Sequence, residues 1–191
     1  MRKRANFFII PMINPDGVII GNSRSSAGGK DLNRVFPSPE KQIFPEIYEF
    51  KHLIRNFIKH RKIFLYFDFH GHSRKKNTFM YGPVYSLGHP NNYKSRILPK
   101  IIESINNGFR YHSCSFNISE SKKSTGRACM FENFGIPFTY TVESSIGFYH
   151  DSEKLKTFTY DKESWLKMGD SICKGTLIYF EGYEEYEMFL K

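Results

Sequence analysis

Asp68, His70 and His72 stand at alternate positions, separated by Phe69 and Gly71, directly after the apolar run Ile63-Phe64-Leu65-Tyr66-Phe67. A strand repeats every two residues, so the three polar side chains share one side. The run before them has the composition of a strand buried on both faces of a mainly parallel sheet. Open parallel sheets bind ligands beyond the carboxyl ends of their strands, which is where this cluster falls. The chemistry available to an imidazole beside a carboxylate is metal ligation, the carboxylate orienting the ring; a single structural hydrogen bond would also account for one His. Glu143 ends a second β-branched and aromatic run, Phe138 to Val142, and a carboxylate in such a low-dielectric place is suited to taking a proton from a metal-bound water. Arg24 lies in the same long loop as the pair Asn33-Arg34, whose guanidinium fork and amide match a substrate carboxylate.

Positioning these groups requires a scaffold of alternating strands and helices. Asn6 to Met12 predicts a buried strand and Asn14-Pro15-Asp16-Gly17 a turn. Val18 to Pro39 lacks periodicity and is rich in Gly, Ser and Asn, predicting a long functional loop. Pro45, followed by Ile47, Phe50, Leu53, Ile54, Phe57 and Ile58, predicts an amphipathic helix to about His60. After the strand that ends at His70, a short strand is expected at Thr78 to Gly82. A helix carrying Ile97, Leu98, Ile101, Ile102 and Ile105 should stop at Asn106-Asn107-Gly108. A strand is expected at His112 to Ser119, a short helix at Ser124 to Phe134, the strand ending at Glu143, and a long helix from Asp161 to Tyr179. This alternation indicates an α/β fold with a mixed, mainly parallel sheet flanked by helices.

The 191 residues, 40% hydrophobic and 17% aromatic, fit one globular domain with a sizeable core. No stretch has the roughly 18 consecutive apolar residues of a membrane span, and Met1-Arg2-Lys3-Arg4 leads into no cleavage site, so an unsecreted chain without a membrane partner is expected. Cys114, Cys129 and Cys173 are odd in number and lack Cys-x-x-Cys spacing, which predicts buried free thiols in a reducing compartment. The formal charge of +9 favours acidic partners. Its basic clusters at Arg2 to Arg4, Arg74 to Lys76 and Lys122 to Lys123 have no stacking-platform or groove-helix motif beside them, so nucleic acid is not the expected partner.

Five segments carry a resemblance to a known family: Pro11-Met12-Ile13-Asn14-Pro15-Asp16-Gly17, Gly21-Asn22-Ser23-Arg24, Asp31-Leu32-Asn33-Arg34, Phe69-His70-Gly71-His72-Ser73-Arg74-Lys75-Lys76-Asn77 and Tyr140-Thr141-Val142-Glu143-Ser144-Ser145. Together they resemble the zinc metallocarboxypeptidases, and specifically the cytosolic carboxypeptidase branch, over most of the chain from Phe8 to about Tyr179. The His-Gly-His-Ser-Arg-Lys-Lys-Asn string is the most specific and separates that branch from the secreted digestive enzymes.

The resemblance implies a carboxypeptidase-like, zinc-exopeptidase fold and a peptide hydrolase of the cytoplasm that removes C-terminal residues. It implies glutamate as the residue removed, from acidic protein tails such as those of tubulin. His70 would be a ligand of one Zn2+, Arg24 would polarise the scissile carbonyl, Asn33 and Arg34 would hold the terminal carboxylate, and Glu143 would be the general base. His72 has no ligand role in the family pattern and is expected either to support the ligands from behind or to be structural. Arg127, in the basic segment Lys122-Lys123-Ser124-Thr125-Gly126-Arg127, is placed as a lining residue for an acidic C-terminal side chain; this segment lacks the tyrosine that secreted relatives swing over their substrate. The family's other two zinc ligands come from a His-x-x-Glu motif on a preceding segment. Nothing of that form occurs before Asn14, so residues 1–191 are expected to be one catalytic domain lacking its N-terminal part. Two alternatives share this fold, a non-catalytic remnant that binds acidic tails and a zinc deacylase of a small N-acyl amino acid.

Overall fold

A computed structural model of the chain describes residues 5–189, with side chains through 182. The basic cluster Arg2 to Arg4 lies outside the described residues. In chain order the helices and strands are α1 (Pro15–Ile20), α2 (Pro45–His60), β1 (Leu65–His72), β2 (Thr78–Tyr81), α3 (Pro90–Ile105), α4 (Gly126–Glu132), β3 (Phe138–Ser145), β4 (Phe148–Asp151), β5 (Lys156–Thr159) and α5 (Lys162–Phe189). Single 3-10 turns occupy Leu32–Arg34, Tyr111–Ser113 and Glu120–Lys122. The chain forms two compact units, Met1–Tyr66 with Ile118–Thr139, and Phe67–Asn117 with Tyr140–Lys191. The architecture is α/β, as expected.

The first unit packs α2 and α4 around Leu32, Val35, Phe36, Phe44, Ile47, Ile54, Cys129, Met130 and Ile136. Pro45 starts α2 at a position where its missing N–H costs nothing. Ile47 and Ile54 are buried by the core, whereas Leu53 and Ile58 from the same apolar stripe stay exposed. Lys51 is buried beside them, and its Nζ donates to the carbonyls of Phe36 and Pro37. Burial pushes the Lys51 amine below its usual pKa.

Two expectations for this unit need correction. Asn6 to Met12 is not a buried strand. The segment carries no strand assignment and is exposed, Ile9 by 82%. An extended run becomes a strand only when a neighbour takes its hydrogen bonds, and no described strand does so. Asn14-Pro15-Asp16-Gly17 is not a turn but the start of α1, with Asn14 as N-cap accepting from the Gly17 N–H and Pro15 in the first turn. The loop expected from Val18 is accordingly shortened by α1, which ends at Gly21 in a left-handed conformation (φ 87°).

The second unit contains a three-stranded sheet in the order β1-β3-β2, to which β1 contributes 67–72 and β3 contributes 140–145. β2 and β3 pair antiparallel, Thr78 with Ser144 through Tyr81 with Thr141. At the other end, the Ile146 N–H donates to the His72 carbonyl at 3.2 Å. That bond joins the carboxyl ends of neighbours β1 and β3, so these two strands run the same way. β1 is an edge strand of this sheet and is only partly buried, with Phe69 exposed by 64%, so the expectation of burial on both faces does not hold. His112 to Ser119 is not a strand either. It begins in the 3-10 turn at Tyr111–Ser113, and only isolated parallel bridges, Thr78 with Phe109 and Tyr81 with Ser115, lie beside β2.

Helices α3 and α5 pack together, with Leu98, Ile102, Met168 and Ile172 buried. Gly175 permits the approach: a Cβ there would lie 2.7 Å from Ile102 Cγ1. Tyr140, fully buried, donates its hydroxyl to the Ser95 carbonyl at 2.8 Å and ties β3 to α3. The β4–β5 hairpin follows β3 at once.

All three cysteines are free, but only Cys129 is buried; Cys114 is partly buried and Cys173 exposed, which corrects the expectation of uniformly buried thiols. Cys114 Sγ accepts from the Met80 N–H, and burial pushes this thiol from 9.0 up to about 12. Three pKa units cut its thiolate fraction at pH 8 by about a thousandfold relative to an ordinary thiol. Alkylation of the native protein at pH 8, followed by peptide mass mapping, is expected to label Cys173 first and to reach Cys114 and Cys129 only after unfolding. Equal native labelling of Cys114 and Cys173 would contradict the burial.

Candidate functional site

The first unit assembles the arginine cluster through a closed loop. Ser25 and Asp31 form an isolated antiparallel bridge, and the Ser26 N–H donates to Lys30 O at 2.9 Å across the loop, where Gly29 supplies a positive φ of 75°. Asn14 Nδ2 and Asn22 Nδ2 both donate to Ser25 O, at 3.3 and 3.1 Å, and anchor one side of this loop to the start of α1. Gly17 is required by the contact: a Cβ there would lie 2.5 Å from Ser25 O. The Asn-Pro-Asp-Gly and Gly-Asn-Ser-Arg segments therefore serve to carry Arg24 to Asp31.

Asp31 then binds three ways. Its Oδ2 accepts from Arg24 Nε at 2.7 Å and lies 3.9 Å from Arg34 Nη1, while Oδ1 accepts from the Asn33 N–H at 2.9 Å as the N-cap of the 3-10 turn. Arg34 Nη1 also donates to Asn33 O at 2.7 Å. The Asn33 side chain accepts from the Gly126 N–H through Oδ1 at 2.7 Å. A backbone N–H is always a donor, so this bond fixes which end of the amide is oxygen and turns the Nδ2 donor the other way. Arg127 follows Gly126 as the next residue of α4 and is 4% exposed. Arg24, Asn33 and Arg34 are thus brought together in the first unit, and Asp31, to which the sequence assigns no chemistry, organises them.

The second unit carries His70 and Glu143. Antiparallel pairing sets Phe79 opposite Glu143, and directly opposed residues project to the same face. The Phe79 ring lies 5.3 Å from the His72 ring, so His72 shares that face, and His70, one strand period earlier, shares it too. Both candidates therefore stand on one face, close to the joined carboxyl ends of β1 and β3. His70 Nε2 lies 2.9 Å from Asp68 Oδ2, the carboxylate–imidazole arrangement that orients a metal ligand. Glu143 is the one partly open position in an otherwise buried β3.

The residues after His70 build the end of the sheet. His72 Nδ1 accepts from the N–H groups of Arg74 and Lys75, at 3.1 and 2.9 Å, so its role is to cap the β1–β2 turn, as the structural expectation had it. Lys75 Nζ sits 4.6 Å over the Phe79 ring. Asn77, at φ 66° and 4% exposed, holds the rest. Its N–H donates to Phe148 O (3.1 Å) and its carbonyl accepts from Ser145 N (3.0 Å). Nδ2 donates to Gly108 O and His150 O (3.2 and 2.8 Å), and Oδ1 accepts from His150 N (3.1 Å). Sequence reasoning saw Asn77 only as the last letter of a motif.

The zinc carboxypeptidase family (Peptidase_M14) matches residues 1–166. Cytosolic carboxypeptidase 2 of Xenopus tropicalis is 38% identical over 181 residues, 94% of this chain and 18% of that protein. Cytosolic carboxypeptidase 1 of Homo sapiens is 38% identical over 190 residues, 93% of this chain and 15% of that protein. The chain therefore spans less than a fifth of the length of these relatives. The metallo-carboxypeptidase of Burkholderia cenocepacia has the same fold, with a TM-score of 0.76 at 19% identity over 92% of this chain and 44% of that one. That of Pseudomonas aeruginosa, in complex with (2-guanidinoethylmercapto)succinic acid, has a TM-score of 0.72 at 18% identity, covering 90% and 45%.

A catalytic zinc of the kind found in carboxypeptidase A needs three protein ligands, commonly two His and one Glu. Among the described residues no group of three or more His, Cys, Asp or Glu side chains comes together as a metal site. Among the described residues, His70 with Asp68 is thus a single imidazole–carboxylate pair rather than a three-ligand site.

Replacement of Asn77 tests the frame on which His70 and Glu143 stand. Asn77→Ala removes the side-chain bonds and leaves in the left-handed region a residue that tolerates it less well than Asn, so urea unfolding is expected to show a loss of about 3 kcal/mol or more. Asn77→Gly removes the same bonds without that strain and should recover about 1 kcal/mol of the loss. Variants within 1 kcal/mol of the parent would contradict the role given to Asn77.

Proposed function

This chain belongs to the zinc carboxypeptidase family, and from that premise we propose that it is part of a cytoplasmic enzyme that removes C-terminal amino acids from acidic protein tails. Glutamate is the proposed leaving residue and tubulin tails a proposed substrate. The observation that carries this reading is the placement of His70 and Glu143 on one face of the second unit's sheet, at the joined carboxyl ends of neighbouring strands. His70, oriented by Asp68, is proposed as one ligand of Zn2+, with the other ligands supplied from outside this chain. The metal, when bound, would supply Lewis-acid polarisation and an acidic water.

The roles of the chain's own residues follow from their chemistry. Glu143 accepts the proton of the attacking water and delivers it to the leaving amine, which suits a carboxylate at a partly buried strand end. Arg24 supplies positive charge for the developing oxyanion. Arg34 and the Nδ2 end of Asn33 hold the free carboxylate of the peptide, a charge-assisted contact to a planar group. Arg127 is proposed to favour an acidic side chain at the residue removed. The names of the relatives support a carboxypeptidase, and the succinic acid derivative bound by the Pseudomonas aeruginosa protein shows that a protein of this fold takes a carboxylate ligand.

Steady-state kinetics of the full-length protein on peptides ending in glutamate, lysine or leucine test this. Glu143→Gln is expected to lower kcat by about 10² to 10⁴-fold with little change in KM. Arg24→Ala is expected to lower it by about 10² to 10³-fold. Full activity of Glu143→Gln would remove the assigned base, and a preference for leucine would overturn the proposed specificity.

A further inference from the structure

Two connections of the first unit line one groove, where the chain enters β1 and where it enters β3. After α2 the backbone becomes extended at Arg61 (φ −147°) and continues through Lys62 and Ile63. After α4 it turns at Gly135 (φ 63°) and continues through Ile136. The groove between them has a volume of about 460 Å³, in the range of sites that take a small ligand or a few side chains. Its floor is apolar. Ile136 is buried, Ile63 and Phe134 pack half-buried against the core, and Ile58 is 42% exposed.

The rim above this floor is basic. His60, Arg61 and Lys62 line it, Lys59 directly precedes them, and the Arg55 guanidinium lies 5.7 Å over the Phe134 ring. Among the described residues Arg55, Lys59, Arg61 and Lys62 form no ion pair with an acidic side chain, whereas Lys41, Lys100, Lys123 and Lys174 each do. The carboxyl end of a helix carries about half a negative charge, which a single cation in the last turn of α2 already offsets. Arg55, Lys59, Arg61 and Lys62 together exceed that need, so positive charge is left over beside an exposed apolar surface.

We propose that this groove is a docking site for an acidic peptide segment carrying a large apolar side chain, with the carboxylates on the basic rim and the apolar group on the floor formed by Ile58, Ile63 and Phe134. The charge is complementary to an acidic chain, and the floor adds a requirement that charge alone would not impose. A membrane surface fits less well, because it is entered by apolar groups that protrude, and here they lie beneath the cations. Single-stranded nucleic acid needs an open aromatic face for its bases, and Arg55 covers that of Phe134. The site makes no use of a free chain end, so it stands independently of the roles proposed for Arg24, Asn33 and Arg34.

Fluorescence anisotropy of the full-length protein tests this with a labelled peptide, Glu-Glu-Phe-Glu-Glu, acetylated at one end and amidated at the other so that it presents no terminal carboxylate. Binding is expected at low ionic strength and should weaken as salt rises. The double variant Arg61→Glu, Lys62→Glu, at two exposed positions, should weaken it about tenfold or more. Replacing the peptide's phenylalanine by alanine should also weaken it about tenfold, and Ile58→Ser in the protein should remove part of the preference for phenylalanine. Circular dichroism melting curves matching the parent's identify the folded variants to be compared.

No binding by the parent, equal binding by the folded double variant, or equal binding of the phenylalanine and alanine peptides would each overturn the proposal. Tighter binding of phosphatidylserine vesicles or oligothymidine than of the peptide, lost in the same double variant, would assign the surface to a membrane or to nucleic acid and overturn it as well.

Discussion

The amide of Asn77 is the constraint on which the carboxyl end of the sheet depends. Both Asn77 side-chain ends and both backbone groups are engaged with residues 108, 145, 148 and 150, which come from three separate stretches of the second unit. A buried polar group is stabilising only when all its bonds are made, and here every one is. The left-handed backbone at Asn77 reverses the chain after the β1–β2 turn, and Asn tolerates that conformation better than most side chains. His72 caps the same turn from the other side. Between them they set the end of β1 beside the end of β3, and so decide where an imidazole two residues before His72 and a carboxylate two residues before Ser145 stand.

The first unit solves its positioning problem by a different route. No regular strand carries Arg24, Asn33 or Arg34; a loop closed by one bridge and pinned by Asn14 and Asn22 does. Loops can hold chemistry when their polar groups are satisfied internally, and here Asp31 satisfies an N–H and two guanidinium groups at once. The Gly126 N–H, at the start of α4, takes the Asn33 amide oxygen and completes the frame.

Much of this was legible in the sequence, for identifiable reasons. The helices α2, α3 and α5 follow apolar residues three and four apart, and the register of that pattern survives even where Leu53, Ile97 and Ile105 remain exposed. The residue types of the site were legible as well, since Asp-x-His-x-His and the carboxylate at a strand end read directly from a period of two. What was not legible depends on partners distant in sequence. Asn14-Pro15-Asp16-Gly17 has the composition of a turn, and the same residues make an N-cap, a first-turn proline and a close contact with Ser25. Asn6 to Met12 has strand composition without a strand to pair with. Asp31 is only one letter of Asp-Leu-Asn-Arg in the sequence, and the Ser25–Asp31 bridge is what places Arg24 against it. Two acidic residues near arginines and histidines, Asp31 and Asp68, were the available signal for both organising contacts.

The net charge of +9 overstates what the chain can offer an acidic partner. Several cations are committed to structure. Lys51 is buried on two carbonyls, Arg110 donates to the carbonyls of Asn107, Phe109 and His150, and Arg96 lies 4.3 Å over the Phe116 ring. Lys41, Lys100, Lys123 and Lys174 pair with Glu49, Glu103, Glu120 and Asp170, carboxylates that the net of +9 already subtracts, so these four lysines are tied to specific partners on the surface. Lys123 belongs to the basic segment expected to favour an acidic C-terminal side chain, and its pairing with Glu120 halves the charge of the Lys122-Lys123 step. Exposed charge of this kind is also screened within about a Debye length of 8 Å at physiological salt. In the proposed function, recognition of an acidic chain end would therefore rest on short-range geometry. The guanidinium pair held by Asp31 and the oriented amide of Asn33 supply donors at fixed angles, which diffuse lysine charge does not.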